Sequence, residues 1–104
     1  MATTTKVLAR TAAATSSTTL YTAPNTSTLA IVTNIVLANA ATSASTATVA
    51  IDGVVIVPAV SIAANTLIGF DLKQVIPANN PAKTITGFAS TSAVTIHISG
   101  VEIN

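Results

Sequence analysis

The chain has 104 residues, room for one domain but not two, and no cysteine, which excludes disulfides and thiolate metal sites. Its 4 Lys+Arg against 3 Asp+Glu give a net charge of +1, too little basic surface for a phosphate backbone, so no nucleic-acid partner is expected. Charged residues make up 7%, against roughly 25% in ordinary soluble domains, so little holds neighbouring copies apart and assembly is expected.

Thr, Val and Ile supply 41 of the 104 residues, and these β-branched types suit a pleated sheet. The opening, MATTTKVLARTAAATSSTT, is basic, rich in small residues and free of acids. That composition occurs in transit peptides, but a strand or extended arm over residues 1–17, outside a main domain of residues 18–104, is the reading adopted. An arm would reach onto a neighbour, with Lys6, Val7 and Leu8 as contact residues; its deletion is expected to leave the fold intact.

From Thr28 to Asn39, TLAIVTNIVLAN alternates with period two over a dozen residues, a strand signal. Continuous alternation places Leu29, Ile31, Ile35 and Leu37 on one face and Val32 and Val36 on the other. Residues 46–57 form two strands joined by Asp52-Gly53, a pair suited to a two-residue type I′ turn. Such a turn pairs Ile51 with Val54 and Val49 with Ile56, placing these four in the core. The opposite face then carries Thr48, Ala50, Val55 and Val57, and Val55 and Val57 are expected to meet another subunit or the larger surface on which the chain assembles. Pro58 lacks a donor and should end the second strand or lie at an edge.

SIAANT and VIPANN, with YTAPNT as a looser copy, carry Asn where a local turn needs it. They precede candidate strands at Thr66–Leu72, Thr84–Ser90 and Thr28–Ala38 respectively. The last strand, Ala93 to Ile103, has Val94, Ile96 and Ile98 on one face. Its apolar phase then slips at Ser99-Gly100, which is expected to be a β-bulge. The sum is an all-β chain: a single antiparallel β-sandwich or jelly-roll domain of about seven to eight short strands.

Reactive chemistry is sparse. His97 is the one histidine and stands on a polar strand face beside Thr95 and Ser99, while the three carboxylates are scattered along the chain. Acid–base catalysis needs two groups to converge, and no phosphate loop, calcium loop or nucleophile elbow is present. No catalytic residue, metal or cofactor is expected, nor a membrane partner, since no apolar run reaches the ~18–20 residues of a span.

The run TLYTAPNTSTLAIVTNIVLAN, followed by IPANN, ITGFASTS and the ending VTIHISGVEI, resembles small structural proteins of tailed bacteriophages. The likeness covers about residues 18 to 104 and lies in β elements and turns. It implies a β-sandwich virion component: a head decoration (cement) protein bound to the major capsid protein, or a neck, tail or fibre accessory. Decoration is the expectation favoured here, because the chain has no coiled-coil or collagen-like stalk. That implies a place on the outer head surface, after synthesis in the bacterial host's cytoplasm. A homo-oligomer is expected, a trimer by analogy with threefold lattice positions or else a dimer. A carbohydrate-binding module is the weakest alternative, since three aromatics supply little stacking platform.

Overall fold

A computed structural model describes residues 3–24, 27–78 and 83–104. Eight strands fill most of them: β1 (Thr3–Ala12), β2 (Thr18–Thr22), β3 (Leu29–Asn39), β4 (Ser45–Ile51), β5 (Val54–Ile62), β6 (Thr66–Ile76), β7 (Thr84–Ala89) and β8 (Val94–Ile103). They form two four-stranded sheets, sheet A in the order β1-β8-β3-β6 and sheet B in the order β2-β7-β4-β5. Every pairing is antiparallel, and β1 joins β8, β2 joins β7, β3 joins β6 and β4 joins β5. The chain is thus one long hairpin with its tip at the β4–β5 turn, rolled until β8 meets β3 and β7 meets β4. That arrangement is a jelly roll within the β-sandwich class.

The tip is the Asp52-Gly53 pair, with φ of 55° and 76°, the left-handed values that a type I′ turn requires. SIAANT also turns, through Asn65 at φ 55°. The corresponding asparagines of YTAPNT and VIPANN, Asn25, Asn79 and Asn80, lie outside the described residues. Buried Asn39 ties one end of the roll together. Its Nδ2 donates to the carbonyls of Ser43 and Ile62, each at 3.0 Å, and its Oδ1 accepts from the Ala41 amide at 2.9 Å.

The core is aliphatic: Val32, Ile35, Leu37, Val49, Ile62, Ile76, Ile85, Val94 and Ile96 are fully buried between the sheets. Bulges decide which residues join them. The register shifts between Val32 and Asn34: against β8 Thr33 is the extra residue, and against β6 the extra residue lies on β6, where Leu72 and Lys73 stand opposite Thr33. The alternation therefore changes phase: Ala30 and Val32 share the core face with Ile35 and Leu37, while Leu29 and Ile31 turn outward with Val36. This corrects the continuous alternation, which had placed Leu29 and Ile31 on the same face as Ile35 and Leu37.

The expected bulge at Ser99-Gly100 lies instead in the strands on either side. Gly100 keeps the inward phase of β8, and the strands on either side each carry an extra residue close to it, Leu8 of β1 opposite Ile98 and Ser99, and Thr33 of β3 opposite Ser99 and Gly100. Leu8 fills the space that Gly100 leaves: a Cβ built on Gly100 would lie 2.9 Å from Leu8 Cδ1 and 2.2 Å from the Ile31 carbonyl oxygen. Leu8 is therefore a core residue, not a contact residue of a projecting arm. Residues 3–12 are an integral edge strand, so removing them strips one side of sheet A and buried Leu8 and Ala9 with it. Their deletion is therefore expected to destabilise the fold and not to leave it intact.

The edges of both sheets are blunted, as isolated sheets require. β5 lies at an edge of sheet B and carries Pro58 inside it, with Ala59 at φ 48° and its amide donating to the Thr48 hydroxyl at 3.2 Å. β2 is only five residues long, and β6 is interrupted opposite Thr33.

Candidate interaction faces

The two outer faces of the roll are chemically different. Across all four strands of sheet B there is no Asp, Glu, Lys, Arg or His. Its outer surface is built from Thr46, Thr48 and Ala50 of β4 and Thr84, Thr86 and Phe88 of β7, which alternate with buried neighbours, and from Val55 of β5, the cross-strand partner of Ala50. Ser17, Thr48, Val55, Thr86 and Phe88 rim a shallow open depression of about 290 Å³ on this face. Its polar groups are hydroxyls and backbone amides, which can hydrogen-bond a partner but cannot move protons at neutral pH.

Val55 stands on this face, 53% exposed, where the sequence places a contact residue. Val57 does not join it. The β4–β5 register slips twice, so that Ala50 pairs with Val55 but Val49 pairs with Val57. Ile56 is the extra residue between them, and Val57 falls into the core at 3% exposure. Two further expectations are corrected: Ile56, as the extra residue, only packs against the core's margin, and Val54, although it pairs with Ile51 as expected, is exposed beside the turn.

Sheet A also presents an apolar surface. Direct cross-strand neighbours form rows across it: Val75, Ile31, Val101 and Thr5 in one, Leu29, Ile103 and Thr3 in the next. The following rows run Asp71, Asn34, Ser99, Val7, and then Gly69, Val36, His97, Arg10. All these side chains alternate with core residues and so point away from the core. Val7 is therefore a surface residue, as expected, but it borders a patch made by Leu29, Ile31, Val75, Val101 and Ile103. That patch escapes a reading by continuous alternation. Its signal is the adjacent polar pair Thr33-Asn34 inside an apolar strand, which marks the change of phase.

Lys6 belongs to neither face. Its Nζ lies 3.2 Å from Glu102 Oε1, and the other carboxylate oxygen accepts a hydrogen bond from the Tyr21 hydroxyl of sheet B. The three groups thus link the sheets at the end of the roll near the described termini. The Tyr21 hydroxyl, with help from the Lys6 ammonium, holds the Glu102 carboxyl below its usual range despite the desolvation that opposes this. Burial, reinforced by the Glu102 charge, raises the Tyr21 hydroxyl well above its ordinary value.

His97 rests on the outer face of sheet A with Nε2 3.1 Å from the Thr95 hydroxyl. Among the described residues no cluster of three His, Asp or Glu could hold a metal ion, and no helix is long and apolar enough to cross a membrane. No protein-family model and no curated protein matches this chain.

Proposed function

We propose that this chain is a non-enzymatic structural component of a tailed-phage virion, a decoration protein that seats on the outer head lattice and stabilises it. The observation that carries the proposal is sheet B: four strands without one charged residue, presenting hydroxyls, Val55 and Phe88 on an open face. Such a face loses little when water is removed, because it holds no ion to desolvate. Its hydroxyls can pair with exposed backbone groups of a lattice partner such as the major capsid protein. Jelly rolls recur in viral capsid domains, lectins and cupins, so the fold alone does not select a role. A lectin role lacks its usual aromatic platform, since Phe88 is the one aromatic exposed on this face.

Copy number tests the proposal. Gel densitometry of purified particles against the major capsid protein should give hundreds of copies per virion, and heads lacking the protein should break at lower temperature. A few copies per particle would defeat the decoration role and favour a neck, tail or fibre position. Absence from purified particles would defeat the virion role altogether.

A further inference from the structure

We infer that the outer face of sheet A is covered by a second copy of this chain, packed face to face about a twofold axis parallel to the strands. The inference stands on sheet A alone and is independent of the virion reading. Its first support is the patch itself: Leu29, Ile31, Val75, Val101 and Ile103 form contiguous apolar rows at one end of the sheet. Val75 is 58% exposed, and Val7, which borders the patch from the opposite edge strand, is 45% exposed.

The second support is the placement of charge. On this face the outward residues of the central strands β8 and β3 include no Asp, Glu, Lys or Arg. The charges stand on the edge strands, Arg10 on β1 and Asp71, with exposed Lys73 beside the bulge, on β6. Among the described residues, neither Arg10 nor Asp71 has an ion-pair partner within the chain. The two stand in adjacent rows on opposite edges, about 7 Å apart along the strand direction.

A twofold axis parallel to the strands turns these facts into complementarity. It carries β1 of one copy over β6 of the other, so Arg10 meets the partner's Asp71 and Asp71 meets the partner's Arg10. The same operation lays Ile31 over the partner's Val101 and Leu29 over the partner's Ile103. A twofold across the strands would instead set β1 against β1 and Arg10 on the side of the partner's Arg10. Charge placement therefore selects the axis. Isologous pairing of this kind is the commonest closed assembly, and stacked sheets with nearly aligned strands are an ordinary packing.

The available area is sufficient. A sheet of four strands with about ten residues each presents roughly 600 Å² per copy, so a pair buries about 1,200 Å², the lower bound for a stable interface.

The test is the solution mass of the purified chain by sedimentation velocity over a concentration series. A dimer, twice the chain mass of 10.3 kDa, is expected at micromolar concentration. Val101→Asp should raise the dissociation constant at least ~100-fold, whereas Val55→Asp on sheet B should leave it unchanged. Arg10→Asp and Asp71→Arg should each weaken pairing by about tenfold, and the double exchange should restore it. Both positions are exposed, so the exchange remains decisive if Val101→Asp fails to fold. A monomeric or trimeric wild type, dissociation by Val55→Asp, or a double exchange no better than its single members would overturn the inference.

Discussion

Single residues matter here according to what stands within a bond's length of them. Gly100 lies where β1 and β3 both bulge, and a Cβ there would meet the Ile31 carbonyl oxygen at 2.2 Å. Backbone cannot yield as a side-chain tip does, so Gly100→Ala should destabilise the fold by about 2–3 kcal/mol. Gly69, whose added Cβ would make ordinary contacts with Val36 Cγ2 at 3.6 Å and the Ile35 carbonyl oxygen at 4.0 Å, should accept alanine within about 0.5 kcal/mol. Urea titrations of the two variants make the comparison; equal losses would mean the bulge can relax. Glu102 gives the molecule an acid-side dependence whose sign is fixed. Its folded carboxyl binds protons less readily than the unfolded one, so its stabilisation is full above the ordinary value of 4.5 and lost as pH falls through the folded value. Glu102→Gln should therefore cost about 1 kcal/mol at pH 7 and nothing once the wild-type carboxyl is protonated. Equal deficits at both pH values would remove Glu102 from this role. Tyr21 acts with the opposite sign: its raised hydroxyl contributes fully below its ordinary value of 10.0, and that contribution is lost in alkali as the unfolded tyrosine ionises first.

At the scale of the strand, bulges separate what alternation reveals from what it conceals. Val94, Ile96 and Ile98 are legible as core because β8 keeps one phase from end to end. The hairpin tip is legible because Asp-Gly needs no tertiary information to turn. Leu29, Ile31 and Val57 are misplaced by alternation because one extra residue reverses every side chain beyond it, and the residue that absorbs the slip is chosen by neighbouring strands. Gly100 shows the same logic from the other side: the glycine is visible in sequence, but the bulges it permits lie in β1 and β3. Of the expected contact residues, Val55 and Val7 are surface residues for the same reason that Val57 and Leu8 are not. Paired substitutions expose the register directly. Val57→Asp buries a charge without a partner and should destabilise by more than about 4 kcal/mol, whereas Val55→Asp should remain within about 0.5 kcal/mol of wild type. Comparable thermal melting of the two variants would place both valines on one face and contradict the slipped pairing.

At the scale of the whole molecule, the rolled hairpin ranks its contacts by distance along the chain. β4–β5 closes through a two-residue turn, β3–β6 and β2–β7 enclose longer stretches, and β1–β8 joins Thr3 to Ile103. Loop-closure entropy makes the tip the least costly place to begin and the β1–β8 edge the last to profit. Folding is therefore expected to nucleate around the tip, with a high φ-value for Val49→Ala in β4 and a low one for Ile98→Val in β8. Both side chains are fully enclosed, so both truncations should cost enough free energy to measure. Because Thr3 and Ile103 are cross-strand neighbours, a short linker can join these two residues while the chain is opened between Asp52 and Gly53. That permutant keeps every strand pairing but reverses their order in sequence distance: β1–β8 becomes the local hairpin and β4–β5 the remote closure. Its native state should retain the wild-type circular dichroism, while the φ-values exchange rank, Ile98→Val rising and Val49→Ala falling. Stopped-flow folding measurements on both connectivities decide the matter. An unchanged ranking would show that the nucleus is fixed by side-chain packing in the core rather than by the order in which the roll can close.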